Sequence, residues 1–176
     1  MLSKVWLTGL AGVLLCELGW AAAEQPAKAP GPQAGIPELL VLDRYAGSWR
    51  FASADPDRPA MTGVARSWWV AGGRVLANEF STSGGYAGFI LRTYDPVEKV
   101  YRDWQFGSMG AVQESVGRWE EKTLTFTVET KRPNGMTVVM ENKFVDADTV
   151  ELTHVIRDKA GAILNQSKSK MTREKP

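Results

Sequence analysis

Three arginines, Arg92, Arg102 and Arg118, stand in a chain of 176 residues near Tyr86, Trp104 and Phe106, and a single histidine, His154, follows them. A guanidinium group grips a carboxylate or phosphate through two parallel N–H bonds. Three of them projecting into one aromatic-lined space would hold the acid end of an amphipathic molecule, because Glu114 can neutralise only one. The competing reading sets the arginines at an open mouth, their stems along an apolar wall and their heads in water. His154 lies between Leu152 and Ile156 and also has two readings. It is a neutral core imidazole with its ring N–H hydrogen-bonded, or it is the single axial ligand that a haem iron needs inside an apolar shell.

The inventory for catalysis is thin. A serine nucleophile needs a base within hydrogen-bond reach, and His154 is the only imidazole. No Gly-x-Ser-x-Gly elbow occurs. Zinc and iron sites draw on several histidines or cysteines. No catalytic residue is assigned, and no metal ligand beyond His154 in the haem case. Lysine and arginine total 21 against 20 acidic residues, a net charge of +1. The two signs are interspersed without a basic block, which argues against nucleic acid as a partner.

Residues 1–23 have the parts of a secretory signal: Lys4, an apolar run over 5–20, and Ala21-Ala22-Ala23 before Glu24. Glu17 interrupts the run, which argues against a membrane-spanning anchor. The expected location is secreted or periplasmic, with no stable membrane anchor after cleavage. The one cysteine, Cys16, would leave with the signal, so the mature chain would hold together without disulfides. Residues 24–36, with Pro26, Pro30, Gly31, Pro32 and Gly35, read as a flexible tether, and 37–176 as one domain.

That domain has to position the arginines on strands. Pro37 and Glu38 suit a helix start, Leu39, Leu42 and Tyr45 share a helical face, and Gly47 stops the turn. From Ser48 the period changes to two. Trp49 and Phe51 alternate with Arg50 and Ala52, and further runs follow at 61–70, 74–81, 86–95, 100–107, 111–120, 124–131, 136–145, 149–158 and 162–171. Gly72-Gly73, Gly84-Gly85, Asp95-Pro96, Met109-Gly110, Pro133-Asn134-Gly135 and Lys159-Ala160-Gly161 break them with turn chemistry. About ten strands with short links predict an antiparallel up-and-down β-barrel, whose closure removes exposed edges. A two-sheet sandwich is the alternative. Even-numbered residues form the apolar face around 124–156. Extended backwards, that parity turns Tyr86, Arg92, Arg102, Trp104, Phe106, Glu114 and Arg118 inward together with Asn142 and His154.

The step Gly47-Ser48-Trp49, led by Leu42-Asp43-Arg44-Tyr45, resembles the opening signature of lipocalins and their calycin relatives. Gly72-Gly73-Arg74-Val75-Leu76 and the run from Tyr94-Asp95-Pro96 through Tyr101-Arg102-Asp103-Trp104 resemble a bacterial family of small calycin-like secreted proteins. The resemblance implies a calycin-like barrel and no particular reaction. Calycin-like haem barrels of the nitrobindin type also place an axial histidine on a late strand, which adds to the haem reading of His154. Trp49 has the bulk to plug the narrow end of a barrel, provided its indole N–H finds an acceptor. Two functions remain open beside haem binding. One is a barrel that binds a small amphipathic, anionic ligand; the other is an interaction or structural module with a filled interior.

Overall fold

A computed structural model describes residues 30–54 and 60–175. The expected signal sequence and the first part of the expected tether lie outside the described residues. A short helix, α1 (Leu39–Asp43), precedes ten strands: β1 (Gly47–Ser53), β2 (Thr62–Val70), β3 (Val75–Thr82), β4 (Ala87–Asp95), β5 (Val100–Gly107), β6 (Val112–Glu120), β7 (Thr125–Lys131), β8 (Thr137–Phe144), β9 (Thr149–Arg157) and β10 (Ile163–Arg173). Each pairs antiparallel with its neighbours in sequence, and β10 returns to β1, so the sheet closes into the expected up-and-down barrel.

The two ends of the barrel turn differently, and the difference decides which side chains face inward. At one end, Thr82 N–H donates to Tyr86 O, Gly107 to Ala111, Arg132 to Met136 and Asp158 to Ala162. Gly85, Gly110, Gly135 and Gly161 fill the same slot of these turns, with φ between 81° and 88°. At the other end Val70 faces Val75, Asp95 faces Val100 and Glu120 faces Thr125. Each of these pairs joins an even to an odd residue, so the inward parity flips across every such turn. Odd residues face inward on β5 and β6, even ones on β4 and on β7 to β9.

Helix α1 closes the second end. Leu39 and Leu42 are fully buried, and burying them contributes roughly 2 kcal/mol apiece. Trp49 plugs the barrel beneath them. It is buried, and its Nε1–H donates to Tyr45 O at 2.8 Å. Trp69 Nε1–H donates to Asp43 Oδ1 at 2.7 Å and Tyr101 OH to Glu38 O at 3.0 Å, which pins the helix to the strand ends.

Arg173, at the end of β10, lies with its guanidinium 4.2 Å over the Trp49 ring. It donates to Arg44 O at 2.8 Å and to Ala46 O, and pairs with Asp148 at 3.1 Å. The described part of the expected tether is also packed. Gln33 N–H donates to Gly73 O at 2.9 Å, and Ile36 lies against the core. The three prolines and two glycines that suggested slack leave enough apolar surface at Ile36 to anchor the stretch.

Candidate functional site

A cavity of about 420 Å³ occupies the interior on the side of the barrel away from α1, within the range of small-molecule pockets. Its floor is an ion pair. Arg92 Nε–H donates to Asp103 Oδ1 at 2.7 Å and Nη2–H to Oδ2 at 2.5 Å, a bidentate contact between facing residues of β4 and β5. The guanidinium is wedged 4.9 Å from the centres of both the Tyr45 and Phe126 rings. Burial, the largest single influence, lowers the pKa of Arg92, but the Asp103 carboxylate and the Tyr45 hydroxyl together raise it, so the net shift is upward and the guanidinium stays charged. The Tyr45 hydroxyl is buried beside it without a hydrogen bond among the described residues, and burial pushes its pKa up.

The walls above the floor are of two kinds. Val128, Val138 and Met140 of β7 and β8 form an apolar side. The facing strands give Gln105, Gln113 and Ser115, with Ser115 Oγ 2.6 Å from Thr130 Oγ1 of β7. Tyr86 accepts a hydrogen bond from Gln105 Nε2 at 3.3 Å. His154 lines the cavity between Met140 and Ser167 of the flanking strands. Its ring makes no hydrogen bond among the described residues, unlike the bonded core imidazole that the sequence suggests. Burial, then the nearby Arg132 charge, lowers its pKa below 6.5, which leaves a neutral imidazole at pH 7.

Of the side chains that the sequence turns inward, Tyr86, Arg92, His154 and Asn142 do face the interior. Asn142 is buried with its Nδ2 donating to Phe126 O at 3.0 Å. Arg102, Trp104, Phe106, Glu114 and Arg118 lie on the outside, a correction with one cause. The turns after Asp95 and after Glu120 each pair an odd residue with an even one, so the even positions of β5 and β6, between them, point away from the cavity. Arg102 sits among Asp95, Glu98 and Glu114 on the outer wall, and Arg118 is exposed. Trp104 packs between Leu91 and Glu114 on that face. Phe106 borders a shallow outer groove of about 720 Å³ with Val64, Arg66 and Phe89. The three-arginine cavity therefore does not exist.

The residues that sequence reasoning missed are Asp103, Gln105, Gln113 and Arg132. For Asp103, Gln105 and Gln113 the signal that could have found them is the spacing at the turns after Asp95 and Glu120, whereas Arg132 continues the even face of β7. Asp95 Oδ1 accepts the N–H groups of Val97 and Glu98 at 2.9 and 3.2 Å, and Lys99 takes φ 55°. That is a four-residue connection, which exchanges the two faces of the next strand.

No family model matches this chain, and no curated relative does. Among solved structures it is similar to the S-type phycobiliprotein lyase CPES from Guillardia theta. The TM-score is 0.50 and the identity 16%, over 79% of this chain and 93% of that chain. The likeness is one of fold. This chain is a closed ten-stranded antiparallel barrel, with a helix over one end and a cavity opening at the other.

Proposed function

We propose that the chain is a secreted or periplasmic barrel that binds a small amphipathic, anionic molecule in its interior. The observation that carries this is the composition of the cavity. It has an apolar side on β7 and β8, a hydrogen-bonding side on β5 and β6, and one cation, Arg132, with no ion pair among the described residues. Arg92 adds no net charge, because Asp103 neutralises it. A volume of about 420 Å³ favours a ligand over an interior filled by side chains. The fold shared with a phycobiliprotein lyase supports the same reading. Export rests on residues 1–23 alone. Native mass spectrometry of protein purified from its own host tests the proposal. A retained mass that is lost in the cavity-filling variant Val138→Trp supports it, and a bare chain that takes up no amphipathic acid refutes it.

A second reading follows from His154. Its neutral, unbonded imidazole lines the cavity beside Met140 and is suited to hold a haem iron. Bound haem would supply redox or gas-binding chemistry there. His154 would hold it, and Val128, Val138 and Met140 would shield it from water. Incubation with haem should give a Soret band that His154→Ala abolishes; the absence of a band removes this reading.

A further inference from the structure

We infer that the mouth of the cavity is a built acid-binding site in which Arg132 supplies the charge and Gln113 and Tyr86 supply neutral donors. The ligand then enters body first and leaves its acid group at the rim. This rests on the proposed function and adds the ligand's orientation and the residues that set it.

The floor is unsuited to an acid. Both oxygens of Asp103 are engaged by Arg92, and the pair has side-chain exposures of only 6% and 13%. A second carboxylate brought to Arg92 would lie within a few ångströms of the Asp103 charge and be repelled. The mouth has the opposite character. Arg132 follows the last residue of β7, its backbone N–H donates to Met136 O in the turn, and its side chain lines the cavity with no ion pair among the described residues. Ser115 and Thr130 touch across β6 and β7. One inward step towards the mouth, the same register sets Gln113 beside Arg132.

Gln113 in turn faces Gln105 on β5, whose Nε2–H donates to the Tyr86 hydroxyl. Tyr86 accepts in that bond, so its own proton is free to donate. A continuous belt of Tyr86, Gln105, Gln113 and Arg132 follows the inside of the rim. It presents one full charge and several neutral donors to a single acid group. A carboxylate, sulfonate or phosphate ester on an apolar body would satisfy the belt, with the body against Val128, Val138 and Met140.

Two probes that share an aromatic body separate the acid site from the cavity: 8-anilinonaphthalene-1-sulfonate and the neutral N-phenyl-1-naphthylamine. Arg132→Gln should weaken the sulfonate about tenfold, the effect of a charge-assisted hydrogen bond at a partly exposed site, and leave the neutral probe within about twofold. Gln113→Leu should weaken the sulfonate about threefold. Arg102→Gln and Arg118→Gln, on the outer wall, should move neither probe. An unchanged sulfonate affinity in Arg132→Gln overturns the acid site, and so does an equal loss of both probes, which marks a structural role. Val138→Trp, or Met140→Trp where the first misfolds by circular dichroism, should abolish both probes. Retention of both in a folded variant, or binding of neither by the unmodified protein, overturns the cavity reading itself.

Discussion

Replacing Asp103 with asparagine keeps the shape of the cavity floor and removes its negative charge. Arg92 then remains between the Tyr45 and Phe126 rings with its guanidinium buried and nothing of opposite sign against it. Breaking a buried ion pair by removing one partner costs about 3–5 kcal/mol. Asparagine can still accept one of the two guanidinium bonds now made at 2.7 and 2.5 Å, so the lower figure, about 3 kcal/mol, is expected. Against a total stability on the order of 5–15 kcal/mol, that is a large fraction. A barrel of this size should lose roughly 6–12 °C in Tm.

The double variant Arg92→Met with Asp103→Leu removes both charges and fills the same space. It should recover most of the loss, since an apolar replacement of a buried pair is close to neutral or stabilising. Urea unfolding followed by tryptophan fluorescence, on the unmodified protein, Arg92→Met, Asp103→Leu and the double variant, gives the coupling energy directly. A coupling energy within about 0.5 kcal/mol of zero would refute the reasoning, because the two side chains would then be acting as separate packing groups.

Three more outcomes follow from the geometry. Arg173→Ala removes the cation over Trp49 and the donors to Arg44 O and Ala46 O; it should cost about 2–4 kcal/mol in chemical denaturation, and Arg173→Lys should recover less than half. Gly117→Ala puts a methyl group 2.6 Å from Phe126 Cζ and 2.9 Å from Tyr101 Cβ, so it should destabilise by about 1–3 kcal/mol, whereas Gly84→Ala in the open turn should cost far less. His154 should titrate below 6.5 by NMR. Its folded pKa lies under the unfolded one, so the unfolded chain binds the proton more readily, and stability should decline as pH falls from about 6.5 to the folded midpoint. His154→Gln should flatten that part of the stability profile.

The barrel was legible in the sequence because each strand carries its own evidence. Alternation in Leu124-Thr125-Phe126-Thr127-Val128 and glycine at the turns are local properties, and ten of them in series leave closure as the economical solution. Trp49 was legible for the same reason, since its size and its place after Gly47 fix its task. Arg173 was not, because nothing around it in the chain marks the partner on which it lies, more than a hundred residues earlier.

The cavity was half legible, and the boundaries fall at two turns. Parity read from Phe126, Val128 and Leu152 holds for β7 to β9, because the connections at Gly135 and at 145–148 join residues of like parity. Going backwards it is inverted at Glu120 and again at Asp95. Two inversions cancel, so Arg92 and Tyr86 face inward while every residue between the two turns is reversed. Arg102 and Asp103 therefore exchange roles. The charged residue that faces the cavity from β5 is the carboxylate and not the guanidinium, and the cavity holds a neutralised floor with Arg132, unpaired among the described residues, at its mouth. A binding site on a strand depends on the register modulo two, and the turns at 96–99 and 121–124 together set Asp103, Gln105 and Gln113 inside and Arg102 and Arg118 outside.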